Sequence, residues 1–162
     1  MGIICNDWEL NIKTKFILFF GLLFNINFYC QVPEGVNKID ENNLREGEWI
    51  IYYDEDWQEV EDSSQIEYFR KITYHKDKPI GLVCDFYKTG VKQWEGYLIS
   101  DRPDIANGKV KYFYENGKLE QVGNVKNGVY YDDWNYYTFL GDFSHKSNFR
   151  RGNESGIAQT LN

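Results

Sequence analysis

Cysteine, methionine, proline and histidine are all scarce: the 162 residues include 3 Cys, 1 Met, 3 Pro and 2 His. Cys5 and Cys30 sit near the N-terminus, which leaves Cys84 alone in the body of the chain. One thiol cannot close an internal disulfide, so no disulfide framework is expected. The setting of Cys84, Leu82-Val-Cys-Asp-Phe86, reads as a small packed strand residue rather than a nucleophile. His75 and His145 lie in polar stretches near expected turns and read as surface residues. A catalytic triad needs a histidine beside a nucleophile and a carboxylate, and no Gly-x-Ser-x-Gly elbow occurs. Phosphate-binding loops, dinucleotide fingerprints and Cys/His zinc spacings are likewise missing.

Metal and acid chemistry find little more support. Asp54-Glu-Asp56 starts like a calcium-binding loop, but Glu59 stands where the loop needs Gly and Gln65 where it needs Glu. The acidic clusters at Asp54–Asp56, Glu59–Asp62 and Asp132-Asp133 read as solvated turns. A glycosidase would need two carboxylates opposed across a sugar. The expectation is therefore a chain that is not an enzyme, with no cofactor and no metal.

Positive charge is also in deficit. Lys and Arg total 18 against 25 Asp and Glu, a net charge of −7. The basic residues are scattered among carboxylates, as on a solvated surface, and form no stripe that could grip phosphates. Nucleic acid is not an expected partner.

Long apolar runs are absent except for one, Phe16-Ile-Leu-Phe-Phe-Gly-Leu-Leu-Phe24, preceded by Lys13 and Lys15. It falls far short of the roughly 20 residues that span a bilayer, but it suits the core of a secretory signal. Residues 1–30 are read as that signal, with Cys30-Gln31 as a cleavage junction. A buried strand or helix is the alternative. On the signal reading the product is secreted, periplasmic or in the cell envelope, and meets the membrane only through this segment. Lipidation at Cys30 is disfavoured because Asn27-Phe-Tyr lacks small residues before the cysteine.

What the chain has in abundance is aromatic side chains, at 18% of its residues. These pack well on a pleated surface and favour strands. They also fall in a repeat. Gly81-Leu-Val-Cys-Asp-Phe-Tyr-Lys-Thr-Gly90 aligns with Gly108-Lys-Val-Lys-Tyr-Phe-Tyr-Glu-Asn-Gly117, and Gly96 and Gly123 follow in step. Tyr87 and Tyr114 share a position in these two copies. Weaker copies flank them. Gly47-Glu-Trp49 leads to Tyr52 and Tyr53, with Asp56 in place of the second glycine. Asp132 replaces the first glycine of the last copy, which keeps Trp134, Tyr137 and Gly141. Each copy reads as a hairpin: Val110, Tyr112 and Tyr114 alternate with Lys109 and Lys111, and Asn116-Gly117 signals a two-residue type I′ turn. Asp56–Ser64 and Ser100–Ala106 read as loop insertions.

The pattern Gly-x-Trp-x-x-Tyr-Tyr, then Tyr-Glu-Asn-Gly, then a return strand ending in Lys-Asn-Gly, resembles the MORN-repeat-variant family of bacteria. Members often carry the label of a YwqK-type antitoxin. The resemblance covers Gly47 to about Gly141. It implies an all-β fold, an antiparallel meander of repeated β-hairpins in a single-layer sheet, with no catalytic residues to transfer. The two Asp replacements imply altered turns at the ends.

The organisation expected is a signal at 1–30, a linker at 31–46, repeats at 47–143 and a polar, partly disordered tail at 144–162. Trp57, Trp94, Tyr97 and Tyr112 are the aromatics expected on a binding face, because so many rings exceed what a thin sheet easily hides. The expected function is a non-catalytic interaction module or structural accessory of the cell envelope, with a protein or polysaccharide partner. A cytoplasmic toxin-neutralising role is the alternative if residues 1–30 are not a signal, and an envelope hydrolase is a more distant one.

Overall fold

The computed structural model describes residues 35–154 and 159–160. The expected signal at 1–30, with Cys5 and Cys30, lies outside the described residues. Within them the chain is antiparallel β-structure without an α-helix; one 3-10 turn occurs at Ser63–Gln65. The strands are β1 (Lys38–Ile39), β2 (Arg45–Tyr53), β3 (Tyr68–His75), β4 (Lys78–Tyr87), β5 (Lys92–Gly96), β6 (Leu98–Asp101) and β7 (Asp104–Ala106). They continue as β8 (Gly108–Phe113), β9 (Leu119–Lys126), β10 (Val129–Tyr137), β11 (Phe143–Arg150), β12 (Asn153–Glu154) and β13 (Gln159–Thr160). The main sheet runs in chain order, β1-β2-β3-β4-β5-β8-β9-β10-β11-β12, with β13 also on β11. Among the described residues, β6 and β7 form a separate two-stranded sheet.

Two kinds of turn alternate along the sheet. At one end Lys76-Asp77, Asn127-Gly128 and Arg151-Gly152 are two-residue connections whose central residues all have positive φ, between 50° and 81°. These are the type I′ turns whose twist matches the flanking strands. At the other end the loops are one residue longer. The Gly90 N–H donates to the Tyr87 carbonyl at 2.8 Å, and the Tyr87 N–H donates to that of Val91 at 2.9 Å. The same two bonds recur at Tyr114–Lys118 and at Thr138–Asp142, closed by Gly117 and Gly141. Asn116-Gly117 is therefore not the type I′ turn read from its dipeptide. Gly117 alone takes positive φ (79°) and ends a three-residue loop. In the first copy the left-handed residue is Trp57, with φ of 59°, and not Asp56. That loop slides by one residue because Asp54 accepts the N–H groups of Asp56 and Gln58, both at 2.9 Å.

The other repeat positions have distinct physical roles. Gly47, Gly81, Gly108 and Asp132 all have positive φ, from 58° to 98°. Asp132 preserves the conformation instead of altering it, since Asp visits the left-handed region more easily than most residues. Two residues on from each, a side chain turns into the core: Trp49 faces Ile72, Val83 faces Gly96, Val110 faces Gly123, and Trp134 faces Ser147. Val83, Val110 and Trp134 are fully buried. A Cβ on Gly123 would lie 2.1 Å from the Trp134 ring, and one on Gly96 would lie 2.6 Å from the Trp94 ring. The indole of Trp134 thus lies directly on backbone, covered by Tyr130 stacked at 4.0 Å. This is how a sheet face hides a ring of that size. Burial of roughly 150–250 Å² of aromatic surface is worth about 4–6 kcal/mol. Tyr87 and Tyr114 staple neighbouring hairpins, donating their hydroxyls to the Phe113 and Tyr137 carbonyls, both at 2.9 Å.

Two boundaries differ from the sequence reading. Within the expected 31–46 linker, β1 pairs with β2, and Asn37 takes the place of a strand residue beyond it. Its side chain accepts the Ile50 N–H at 2.7 Å and donates to the Ile50 carbonyl at 3.1 Å. The Asn37 N–H donates to the Glu48 carbonyl at 2.8 Å and the Val60 N–H to the Tyr52 carbonyl at 3.0 Å. The outer edge of β2 is thereby occupied along its length, which blocks strand addition there. At the other boundary, the expected polar tail supplies β11, a full strand paired with β10 from Asp132↔Phe149 to Tyr137↔Phe143. Phe149 and Ser147 face the core from a sequence whose polarity conceals that alternation.

Gly123→Ala is expected to destabilise the protein by about 3 kcal/mol through overpacking against Trp134. Gly47→Ala, which meets open space but keeps a positive φ, is expected to cost only about 1–2 kcal/mol. Urea unfolding of both variants checks the order; equal losses would contradict the ring-on-backbone account.

Candidate functional site

The segment Leu98–Ala106 has no counterpart in the other copies, and it folds onto the core face as the β6–β7 hairpin. Leu98 is buried in the core, and Tyr97 and Ile99 stand in solvent. Two arginines tie the hairpin down. The Arg45 guanidinium donates to Asp101 at 2.7 Å and to Asp77 at 2.8 Å, and lies 3.8 Å from the centre of the Tyr74 ring. The Tyr74 hydroxyl donates to the same Asp101 carboxylate at 2.5 Å. Arg70 is held from both sides. Its Nε and Nη2 donate to Asp85 at 2.7 and 2.9 Å, while Nη1 and Nη2 donate to Asp104 at 2.8 and 2.7 Å.

The electrostatics follow from burial. The side chains of Arg70 and Asp85 are each 5% exposed, whereas that of Asp104 is 48% exposed. Burial pushes the Asp85 carboxyl up from its ordinary range, against the opposing pull of Arg70. Burial also works against the Arg70 charge, but the hydrogen bonds it donates to two carboxylates outweigh it and hold the guanidinium protonated. For Asp101, burial is outweighed by the Arg45 and Tyr74 hydrogen bonds, so its carboxyl lies below the usual range. Burial raises the Tyr53 hydroxyl to about 12.

Beside this clamp lies a cavity of about 370 Å³. That is at the small end of the roughly 300–1,000 Å³ typical of small-molecule sites. Trp57, Trp94, Tyr112 and Tyr130 form its aromatic wall, and Arg70, Asp85, Asp104 and Gln93 supply polar groups. Trp57 reaches it from its left-handed loop position, stacked on Tyr68 with centroids 4.5 Å apart and planes at 10°. The residue is 37% exposed, so it is not closed off from solvent.

The aromatics expected on one binding face separate. Trp57, Trp94 and Tyr112 line the cavity, but Trp94 is only 7% exposed and belongs to the core, and Tyr112 is packed against it. Tyr97 lies elsewhere, in solvent. Trp94 and Tyr112 thus serve the row of core positions, while Trp57 and Tyr97 remain exposed. The glycines Gly47, Gly81, Gly90, Gly96, Gly108, Gly117, Gly123 and Gly141 shape backbone, as do Trp49, Tyr52, Trp134 and Tyr137, whose rings pack against other residues. His75 pairs with Glu46 at 2.9 Å beside a turn. His145, however, sits inside β11 and stacks flat on Tyr136 at 4.4 Å. Cys84 lies on the opposite face, in a depression with Lys71, Leu82 and Phe86, and burial pushes its thiol up, away from thiolate reactivity. Among the described residues no group of three or more His, Cys, Asp or Glu is placed to hold a metal ion.

Sequence reasoning missed Arg45, Arg70, Asp85, Asp101 and Asp104, which it counted as scattered surface charge. A signal was present for two of them. Strand alternation puts Arg70 on the face of Ile72 and Tyr74, and Asp85 on the face of Val83. No protein-family model, curated protein or solved structure matches the chain.

Arg70→Met leaves Asp85 buried without its cation, and is expected to cost about 3–5 kcal/mol at neutral pH. Losing Arg70 raises Asp85 further, so the folded variant takes up a proton. Its deficit should narrow as pH is lowered from about 7 to 5. A deficit that widens on acidification would refute the burial account. For Asp101 the sign reverses, because its folded pKa lies below the unfolded value of about 3.9. Its contribution is complete above that value and lost as pH falls through the folded pKa. Amide-exchange protection of residues 98–106 is expected to drop between about pH 4 and 2 in the wild type, and to vary less in Asp101→Asn.

Proposed function

We propose that the chain is an exported, non-catalytic interaction module that takes a glycan in the cavity beside the β6–β7 hairpin. The observation that carries this reading is the pairing of an accessible indole with carboxylates held in fixed orientation. Sugar rings offer apolar C–H faces that suit an aromatic platform, and hydroxyls that donate to carboxylates. An ionised carboxylate has about four acceptor sites, and Asp85 and Asp104 each spend two on Arg70. Those that remain on the half-exposed Asp104 are acceptors already positioned at low entropic cost.

A folded protein partner is less well served. Strand addition at β2 is blocked, and Trp94 and Tyr112, two of the rings expected to anchor such a partner, are packed in the core. The MORN-variant resemblance fits the same reading. Repeat positions are used up in building the sheet, so binding chemistry comes from what interrupts the repeat: the hairpin insertion and the displaced Trp57. Export rests on the apolar run Phe16–Phe24.

One observation favours a hydrolase instead: Asp85 and Asp104 line the same cavity. Each, however, has both oxygens engaged by the one Arg70 guanidinium, so neither stands free for proton transfer to a leaving group.

Titration with a panel of soluble oligosaccharides, followed by tryptophan fluorescence and calorimetry, tests the proposal. Saturable binding is expected for some member, weakened about tenfold or more by Trp57→Ala, a loss of roughly 1.4 kcal/mol. Failure of the whole panel, or equal affinity in the variant, refutes the glycan site. Release of sugar from a chromogenic glycoside would establish catalysis in its place.

A further inference from the structure

The charge of the cavity discriminates among sugars. Its wall holds one basic side chain, Arg70, and two carboxyl side chains, Asp85 and Asp104. The cation is chelated by both anions, so it has little left to offer a negatively charged ligand. No lysine lines the cavity. The excess negative charge is on the outer side, because Asp104 is half exposed and Asp85 is not. Asp104 shares the lining of this cavity with the partly exposed Trp57 and with the phenol rings of Tyr112 and Tyr130.

Resting on the glycan reading, we propose that the ligand is an unacetylated amino sugar, whose protonated amine is held by Asp104 and the neighbouring rings. An ammonium group has three N–H donors and no acceptor, and an ionised carboxylate is acceptor-only, so the two are complementary. The faces of Trp and Tyr carry negative quadrupole potential that attracts the same cation. A uronic acid would bring a carboxylate to a wall whose only cation is already neutralised. An N-acetylated sugar would exchange the charge for an acyl group with no matching cation–π or ionic partner. The overall charge of −7 adds a weak, non-selective attraction that the controls must remove.

The experiment is calorimetric titration of the full-length protein with four disaccharides: glucosamine-type, its N-acetylated form, a neutral glucose-type and a uronate-containing one. The free amine is expected to bind at least about tenfold more tightly than the acetylated form. That margin should shrink several-fold when ionic strength is raised from about 0.02 M to 0.5 M. Asp104→Asn should abolish the margin while leaving the Arg70–Asp85 pair, and Asp133→Asn, a surface acid paired with Lys146, should preserve it. The indole N–H resonance of Trp57 should shift on adding the amine to the wild type, a reading independent of how the variants fold. If none of the four sugars binds, the glycan reading itself falls. If the acetylated or neutral sugar binds as well as the amine, the glycan reading stands and the amine assignment is overturned. A margin that survives Asp104→Asn, or falls equally with Asp133→Asn, also overturns it.

Discussion

The Arg70 guanidinium, gripped by Asp85 from the sheet and by Asp104 from the hairpin above it, joins the two parts of the site. A meander of hairpins has two faces and no second layer of its own. Here the β6–β7 hairpin supplies local cover, and Leu98 enters the core because the Arg45 and Arg70 clamps hold the hairpin in place. Burying these charges is costly in itself. The cost is offset because the Arg70 N–H groups at Nε, Nη1 and Nη2 all donate to carboxylate oxygens. No buried side-chain nitrogen or oxygen lacks a hydrogen-bond partner among the described residues. The same clamp that secures the cover presents oriented carboxylates to the cavity, so structure and candidate chemistry share one group of atoms.

Away from the hairpin, the sheet covers itself. Ring-on-backbone packing at Gly123 and Gly96 lets indoles lie flat where any side chain would collide. Tyrosine hydroxyls run from one hairpin to the next and convert sequential pairing into a continuous array. A single hairpin is marginal in water, so these staples and shared rings make the units interdependent. Asn37 and the chain near Val60 then cover the outer edge of β2, where an open ladder would invite association between copies.

Much of the scaffold was legible in the residue order. The repeat placed Gly47, Gly81, Gly108 and Asp132 in one register, but Asp132 was expected to alter its turn and instead keeps the positive φ of the glycines. The turn at Asn116-Gly117 was misjudged because a dipeptide does not reveal how many residues separate the paired strands. Trp57 was assigned to the binding surface for its aromaticity. Its backbone role came from the sliding of the loop around Asp54, which depends on hydrogen bonds formed only once the turn closes. Trp94 was misplaced for the opposite reason. Alternation along β5 sets its face, but whether that face is covered depends on the rest of the chain.

The sequence by itself determined the period-two strands and the repeat, because φ preference and side-chain direction are local properties. It likewise placed Arg70 and Asp85 on the inward face of their strands. Only the tertiary structure decided that they would meet. Arg70 and Asp104 are 34 positions apart, and Arg45 and Asp101 are 56 apart. Charge pairing across such distances depends on where an inserted hairpin lands, and that is decided by packing, which no local pattern encodes.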